Sequence, residues 1–417
     1  MKKSLFALAA VTAFAGAAQA QSSVTVYGIL DYGFQGSSQT QAGPAAAVTS
    51  TNKVVTKTQT AGLAGSGEST SRLGFKGNED LGGGMNAFFT IEAALNTDTG
   101  GTFSSSTTTS NRQSFVGLGK KGLGTASVGL QYTPIHEAVG ATNAGGTNNV
   151  MGDVIYDRTG GVNATAYTAS GMSTNDSYTV RTSNALVLKT ERMAGFVAKG
   201  MFVTAGKDTS QTATTGGQLS NTGYGIGLDY SWQKLFVTAN FQNFRQEQAT
   251  AQTAVVGSYG AVSAIFNPGY NGASVIAGVN STDTQQYYAA TYDFGILKAF
   301  AGYINRKAVN VNNSSNYISR TAQQIGVRAP ITPAIQVWAS AGMGRINNTG
   351  TNGPTANFTG WQLGSDYSLS KRTNLYAIYG QSATSNATTG AYANTATSTA
   401  NTSYNQSSYA VGVRHTF

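Results

Sequence analysis

Tyr409, Val411, Val413, His415 and Phe417 fall on one face of a two-residue repeat, and Ala410, Gly412, Arg414 and Thr416 fall on the other. A period of two marks a strand with one apolar and one polar face. Segments of this kind recur at 24–33, 71–77, 85–95, 111–118, 124–132, 181–189, 195–204, 222–230, 235–245, 285–293, 296–305, 321–329, 334–344, 358–367, 374–381 and 407–417. Tyr224, Ile226, Leu228 and Tyr230, for example, oppose Gly225, Gly227 and Asp229. Trp361, Leu363 and Tyr367 oppose Gln362, Gly364 and Asp366. A polar face that carries arginine and aspartate suits a strand set between lipid and a wet lumen.

The connections alternate in length. Short turns fall near 78–84, 119–123, 190–194, 231–234, 294–295, 330–333 and 368–373. Polar Thr/Ser/Asn/Gly-rich stretches at 34–70, 133–180, 205–221, 246–284, 306–320, 345–357 and 382–406 separate the hairpins. Short turns at one end and long loops at the other are the pattern of bacterial transmembrane barrels. Structureless loops of this length argue against a compact soluble domain. An even strand number puts both chain ends at the short-turn side and lets the last strand close on the first. The expected fold is therefore all-β, a 16-stranded antiparallel transmembrane β-barrel. Tyr230, Tyr292 and Tyr367, near strand ends, fit an aromatic girdle at the membrane interface. A secreted β-sandwich is the competing fold, but one this long needs several domains, and no linker composition interrupts residues 21–417.

The N-terminal residues read as a cleaved signal peptide over 1–20, with the barrel over 21–417. Lys2 and Lys3 form the basic region, residues 5–18 the apolar stretch, and Ala18-Gln19-Ala20 the small-x-small cleavage site. No later stretch approaches the roughly 20 apolar residues of a membrane-spanning helix. The mean hydropathy of −0.17 is compatible with a barrel, whose lumen-facing residues are polar. Charged residues are only 10%, against about 25% in ordinary domains.

Several chemistries are excluded. The net charge of +9 is spread singly rather than in the stripe that nucleic acid requires. Gly117-Leu118-Gly119-Lys120-Lys121-Gly122 matches a dinucleotide-binding spacing, yet a strand follows where a helix is needed. With no Cys and only His136 and His415, a His-rich catalytic zinc site cannot be assembled. No nucleophile motif supports a hydrolase, and no segment has calcium-loop spacing. Neither a cofactor, a metal nor an enzymatic activity is expected.

Five segments carry a resemblance: 23–31 (SVTVYGILD), 71–85 (SRLGFKGNEDLGGGM), 111–118 (NRQSFVGL), 366–373 (DYSLSKRT) and 413–417 (VRHTF). In this order they resemble the Gram-negative general porins of the β-proteobacterial type. The resemblance implies a homotrimer in the outer membrane, exported by a cleaved signal peptide, with a water-filled channel in each monomer. It implies a third outer loop folded into the barrel opposite a ladder of arginines. It also implies a terminal aromatic, here Phe417, read by the barrel-assembly machinery.

The positions that match the family's constriction arginines are Arg72, Arg112 and Arg181. Arg72 alternates against Leu73 and Phe75, which turns it inward together with Lys76. Arg112 is out of phase with Phe115 and Gly117, read here as lipid-facing, so it too points inward. Arg181 alternates against Leu186 and Leu188 and shares its face with Lys189. Arg414 is a further basic residue of the lumen. The candidate constriction loop begins at Thr133, and its Glu137, Asp153 and Asp157 (with Asp176 beyond) are expected to face the arginines. Leu130 stands where the family would place a basic residue, and the loop lacks a Pro-Glu-Phe-Gly type of tip.

These readings predict passive diffusion of ions and small hydrophilic solutes with a weak preference for anions, because charged rings in a narrow lumen set ion preference. A substrate-selective porin differs from this only by saturable binding. The expected partners are outer-membrane lipid and lipopolysaccharide, two further copies of the chain and the assembly machinery. The alternative is an outer-membrane adhesin or structural barrel with a blocked lumen.

Overall fold

Seventeen strand segments follow one another in the computed structural model, which describes residues 23–44, 53–95, 111–151, 180–209, 217–248, 281–311, 317–348, 356–388 and 401–417. They are β1 (Ser23–Pro44), β2 (Lys53–Gly65), β3 (Arg72–Gly82), β4 (Met85–Ala94), β5 (Asn111–Lys120) and β6 (Gly124–Tyr132). After a helix, α1 (Pro134–Ala141), come β7 (Arg181–Thr190), β8 (Phe196–Thr209), β9 (Gly217–Trp232), β10 (Leu235–Gln248) and β11 (Ser281–Asp293). The chain ends with β12 (Lys298–Asn310), β13 (Tyr317–Pro330), β14 (Ile335–Asn348), β15 (Ala356–Ser368), β16 (Thr373–Thr388) and β17 (Asn401–Thr416).

Each strand pairs antiparallel with its neighbours, and β17 returns to β1, with Ile29 opposite Thr416 and Ala42 opposite Ser403. β2 and β3 are two halves of one barrel strand. β2 pairs with the outer part of β1, from Tyr32 opposite Gly65 to Pro44 opposite Lys53. β3 takes the inner part, from Ile29 opposite Arg72 to Ser23 opposite Asn78. Counted as one strand, they make a closed 16-stranded antiparallel barrel. Closure pairs the last strand with the first, so neither β1 nor β17 is left as a sheet edge. Among the described residues no helix is long and apolar enough to cross a membrane; strands make the crossing.

The period-two faces sort as expected. Tyr224, Ile226 and Leu228 are exposed on the outer surface, whereas Asp229 is buried on the inner one. Trp361, Leu363 and Tyr367 are exposed outside while Gln362 and Asp366 are buried inside. Tyr409, Val411, Val413 and Phe417 are exposed, and Ala410 on the opposite face of β17 is fully buried. Tyr292 packs edge-on against Phe294, and the Tyr230 ring lies tilted by 33° against Phe196, at the short-turn end where a girdle belongs.

All seven expected short turns are present, from 83–84 to 369–372. The strand ends at the other side are longer than the sequence suggested. β1 reaches Pro44 rather than residue 33, β16 runs to Thr388 and β17 starts at Asn401. These extensions are rich in Ser, Thr, Gln and Asn, whose backbones pair like any other but whose side chains carry no apolar alternation where both faces meet water. The expected loop at 34–70 is corrected for the same reason: most of it is the β1–β2 hairpin, interrupted at 66–71.

The barrel seam depends on a close approach. Gly28 N–H donates to the Phe417 carbonyl at 3.1 Å, and Phe417 N–H donates back to the Gly28 carbonyl at 3.2 Å. A Cβ on Gly28 would run into the Phe417 ring and the Arg72 carbonyl. Gly28→Val is therefore expected to lower the folded fraction seen as heat-modifiable mobility on gels. Gly62→Ala, where a Cβ meets nothing within 4 Å, should leave that fraction unchanged.

Candidate functional site

Three guanidiniums gather on the inner wall around one carboxylate. Arg112 Nε donates to Glu92 Oε1 at 2.6 Å, and Arg72 Nη1 lies 3.8 Å from the same oxygen. Arg112 also donates to the Tyr132 hydroxyl at 2.8 Å, and the Arg181 guanidinium lies 6.0 Å from the centroid of that ring. Tyr27 donates its hydroxyl to Glu92 Oε2 at 3.1 Å, and the Lys76 ammonium stands 5.5 Å from the Tyr27 centroid. The structure thus brings Arg72, Arg112, Arg181 and Lys76 together, Arg72 and Lys76 by the alternation that turns them inward. Glu92 and Tyr132 were not singled out from the sequence. Glu92 had a signal: it lies on the β4 face opposite the exposed Ile91.

Arg112 arrives there by a route that simple alternation misses. Phe115 and Gly117, expected on the lipid side, are on the inner wall; the exposed apolar residues of β5 are Val116 and Leu118. By parity Arg112 would then face outward. The β4–β5 register slips, with Glu92 opposite Gln113 and Ala93 opposite Asn111, so that Arg112 is the extra residue of a β-bulge. A bulge re-aims one side chain, and here the Glu92 carboxylate receives it. A second slip between β6 and β7, with Asn184 at φ 54°, lies between Arg181 and the regular alternation of Leu186 and Leu188.

The segment after β6 turns into the barrel. Thr133 caps α1, and Pro134 takes the first helical turn, where its missing N–H costs nothing. The helix packs on β8, β9, β10 and β11. Thr142 and Tyr287 share a hydroxyl–hydroxyl bond of 2.6 Å, and Arg328 Nε donates to the Ala144 carbonyl at 3.0 Å. Val150 and Met151 then bury themselves against Trp338, Tyr376, Ile378 and Ala410 on the far wall. Residues 133–151 therefore cross the lumen from β6 to β14–β17.

Glu137 was expected to face the arginines, but it does not meet them. Its carboxylate lies 3.1 Å from Lys199 and 3.6 Å from Lys189, and Lys199 also reaches Asp229 at 2.9 Å. The reason is helical geometry: α1 presents Glu137 to β7 and β8 while Pro134, Ala138 and Val139 are buried. Lys189 is on the inner wall as expected, and Lys199 was missed. Asp153 and Asp157, with Asp176, lie outside the described residues.

The far end of the segment is held by the interruption between β2 and β3. Asp31, fully buried, accepts from Ser69 N–H at 2.5 Å and from the Tyr376 hydroxyl at 2.7 Å, which draws residues 66–71 inward. Asn149 N–H donates to the Gly67 carbonyl at 2.9 Å and its side chain to the Ser66 carbonyl at 2.7 Å. Asn148 donates to Gln362 at 2.9 Å and accepts from the N–H groups of Val150 and Met151. Arg414 points inward as expected, 3.1 Å from Glu68 and 3.0 Å from its acceptor on Asn374.

A model of the Gram-negative porin family matches residues 7–388. An outer membrane porin protein of Bordetella pertussis is 29% identical over 433 residues, all of both chains. Outer membrane porin protein 32 of Delftia acidovorans is 47% identical over 100 residues, 24% of each chain. An anion-selective porin from Comamonas acidovorans has the same fold, with TM-score 0.64 and 20% identity over 95% of this chain and 100% of that one. A closed barrel, a segment folded across its lumen and a family match over most of its length make this chain a member of the Gram-negative porin family, an outer-membrane channel for passive diffusion.

Proposed function

We propose that the channel is trimeric and prefers anions, with Arg72, Arg112 and Arg181 as its selectivity residues and no enzymatic activity. The observation that carries this reading is the imbalance at the ladder: three guanidiniums surround one carboxylate, Glu92. Charge on a narrow polar wall raises the local concentration of the opposite ion. Lys76 adds to this surplus, whereas the Lys189–Lys199 side is balanced by Glu137 and Asp229. The Comamonas relative of the same fold is itself described as anion-selective. Trimer formation is supported by the trimer form of Vibrio cholerae OmpT, of the same fold at TM-score 0.54.

Planar-bilayer recording of the purified protein tests both parts. Insertion should give conductance steps that close in thirds, and a salt gradient should give a reversal potential of anion sign. Single-step closure would remove the trimer, and a cation-sign potential would remove the assigned preference. The mature chain begins after residue 20 in this reading, and Phe417 serves the assembly machinery as well as the seam. The mass of the exported protein checks the cleavage; an uncleaved mass would overturn it.

A further inference from the structure

The short-turn end of the barrel pairs exposed apolar side chains with exposed cations. Leu123 is 69% exposed beside exposed Lys120 and Lys121, and Met193 is 55% exposed beside Arg192. Trp232 is 58% exposed two residues from Lys234, and Leu369 is 56% exposed two and three residues from Lys371 and Arg372. Two further turns carry Ile296, 78% exposed, and Ile331, 61% exposed, and the turn at 83–84 lies between exposed Leu81 and Met85. The acids at this end are fewer: Glu79 and Glu191 are exposed, Glu191 beside Arg192, and the other two hold turns. Asp80 and Asp293 accept from the N–H groups of Gly82 and Gly295 to hold their turns.

We propose that this rim is a docking surface for anionic phospholipid headgroups of the periplasmic leaflet. The turns are at the periplasmic side in bacterial barrels, so the ring lies where acyl chains give way to headgroups. Apolar side chains left in water at every turn would be a liability; set into the interface they anchor the barrel. Lys and Arg beside them reach the phosphate level with apolar stems still in hydrocarbon. Cations clustered at a membrane surface select anionic over zwitterionic lipid. The cell-wall polymer is the other anionic neighbour on this side, but it offers nothing to Leu123, Ile296 or Ile331. The inference concerns the rim alone and stands apart from the ion preference of the lumen.

Trp232 supplies the readout. The full-length protein is reconstituted in phosphatidylcholine vesicles doped with brominated phosphatidylglycerol or brominated phosphatidylcholine. The difference in quenching between the native chain and Trp232→Phe isolates this one indole. Quenching by the anionic probe should exceed that by the zwitterionic one on the order of threefold at low salt. The excess should vanish near 1 M salt, where the screening length falls to about 3 Å. It should also vanish in Lys121→Gln/Arg192→Gln/Lys234→Gln/Lys371→Gln/Arg372→Gln, whose heat-modifiable mobility reports folding. Equal quenching by the two probes overturns the proposal, as does an excess that survives both salt and the five substitutions. Should the variant not fold, the salt series on the native chain decides alone. Retention of the native protein on purified cell-wall sacculi, with no preference between the lipid probes, would assign the ring to the wall and also overturn the proposal.

Discussion

Arg72→Gln/Arg181→Gln is expected to abolish most of the anion preference while the barrel stays folded. The pair to leave intact is Arg112–Glu92, at 2.6 Å with both side chains more than nine-tenths buried. Breaking such a pair strands a charge and costs about 3–5 kcal/mol. Removing only Arg72 and Arg181 takes the three arginines and Glu92 from two surplus positive charges to none, since Arg112 and Glu92 cancel. Lys76 stays as the neighbouring cation of the site. The anion-to-cation permeability ratio should fall close to unity. Adding Arg112→Gln leaves Glu92 alone and should carry the ratio below unity, with a lower folded yield as its second signature. Reversal potentials across a potassium chloride gradient make the measurement. A double variant that keeps the native ratio would remove these arginines from ion selection.

The second large effect is mechanical. Asn148→Ala/Asn149→Ala should release the segment that crosses the lumen and widen the channel. Asn148 ties Gln362 to the N–H groups of Val150 and Met151, and Asn149 ties the segment to the Ser66 carbonyl. Each buried polar group left without its partner costs about 1–3 kcal/mol. That is enough to populate an open arrangement of a locally held element, because local openings draw on local rather than global stability. Val150 and Met151 would then leave Trp338, which is 4% exposed in the closed form. Conductance should rise and become noisy, and Trp338 fluorescence should become accessible to a soluble quencher. Unchanged conductance with a still-protected Trp338 would show that other contacts hold the segment.

The short turns and the faces of most strands were legible because they are local properties. Alternation is set residue by residue, and Gly82, Gly83, Gly122 and Gly295 adopt the positive φ that tight turns require. Legibility failed where a partner strand intervened. Phe115 and Gly117 were assigned to the wrong face because nothing in β5 announces the register slip that turns Arg112 inward. Lys199 went unnoticed because its meaning comes from Glu137, which reaches it only once α1 lies inside the barrel. The polar half of the second strand, β2, reads as a loop because Thr, Gln and Lys show no apolar stripe.

What the sequence determined by itself is therefore a closed barrel of alternating strands, the side on which its turns lie, and the inward placement of Arg72, Lys76 and Arg414. All of these follow from a two-residue period and from turn residues. The tertiary structure alone decided which charges meet. Asp31 and Tyr376 are 345 residues apart, and Glu68 and Asn374 are 306 apart, yet closure of the ring makes them neighbours. Bulges then override parity at Arg112 and near Arg181. Contact between distant strands depends on shear and register around the whole ring, a property that no single strand encodes.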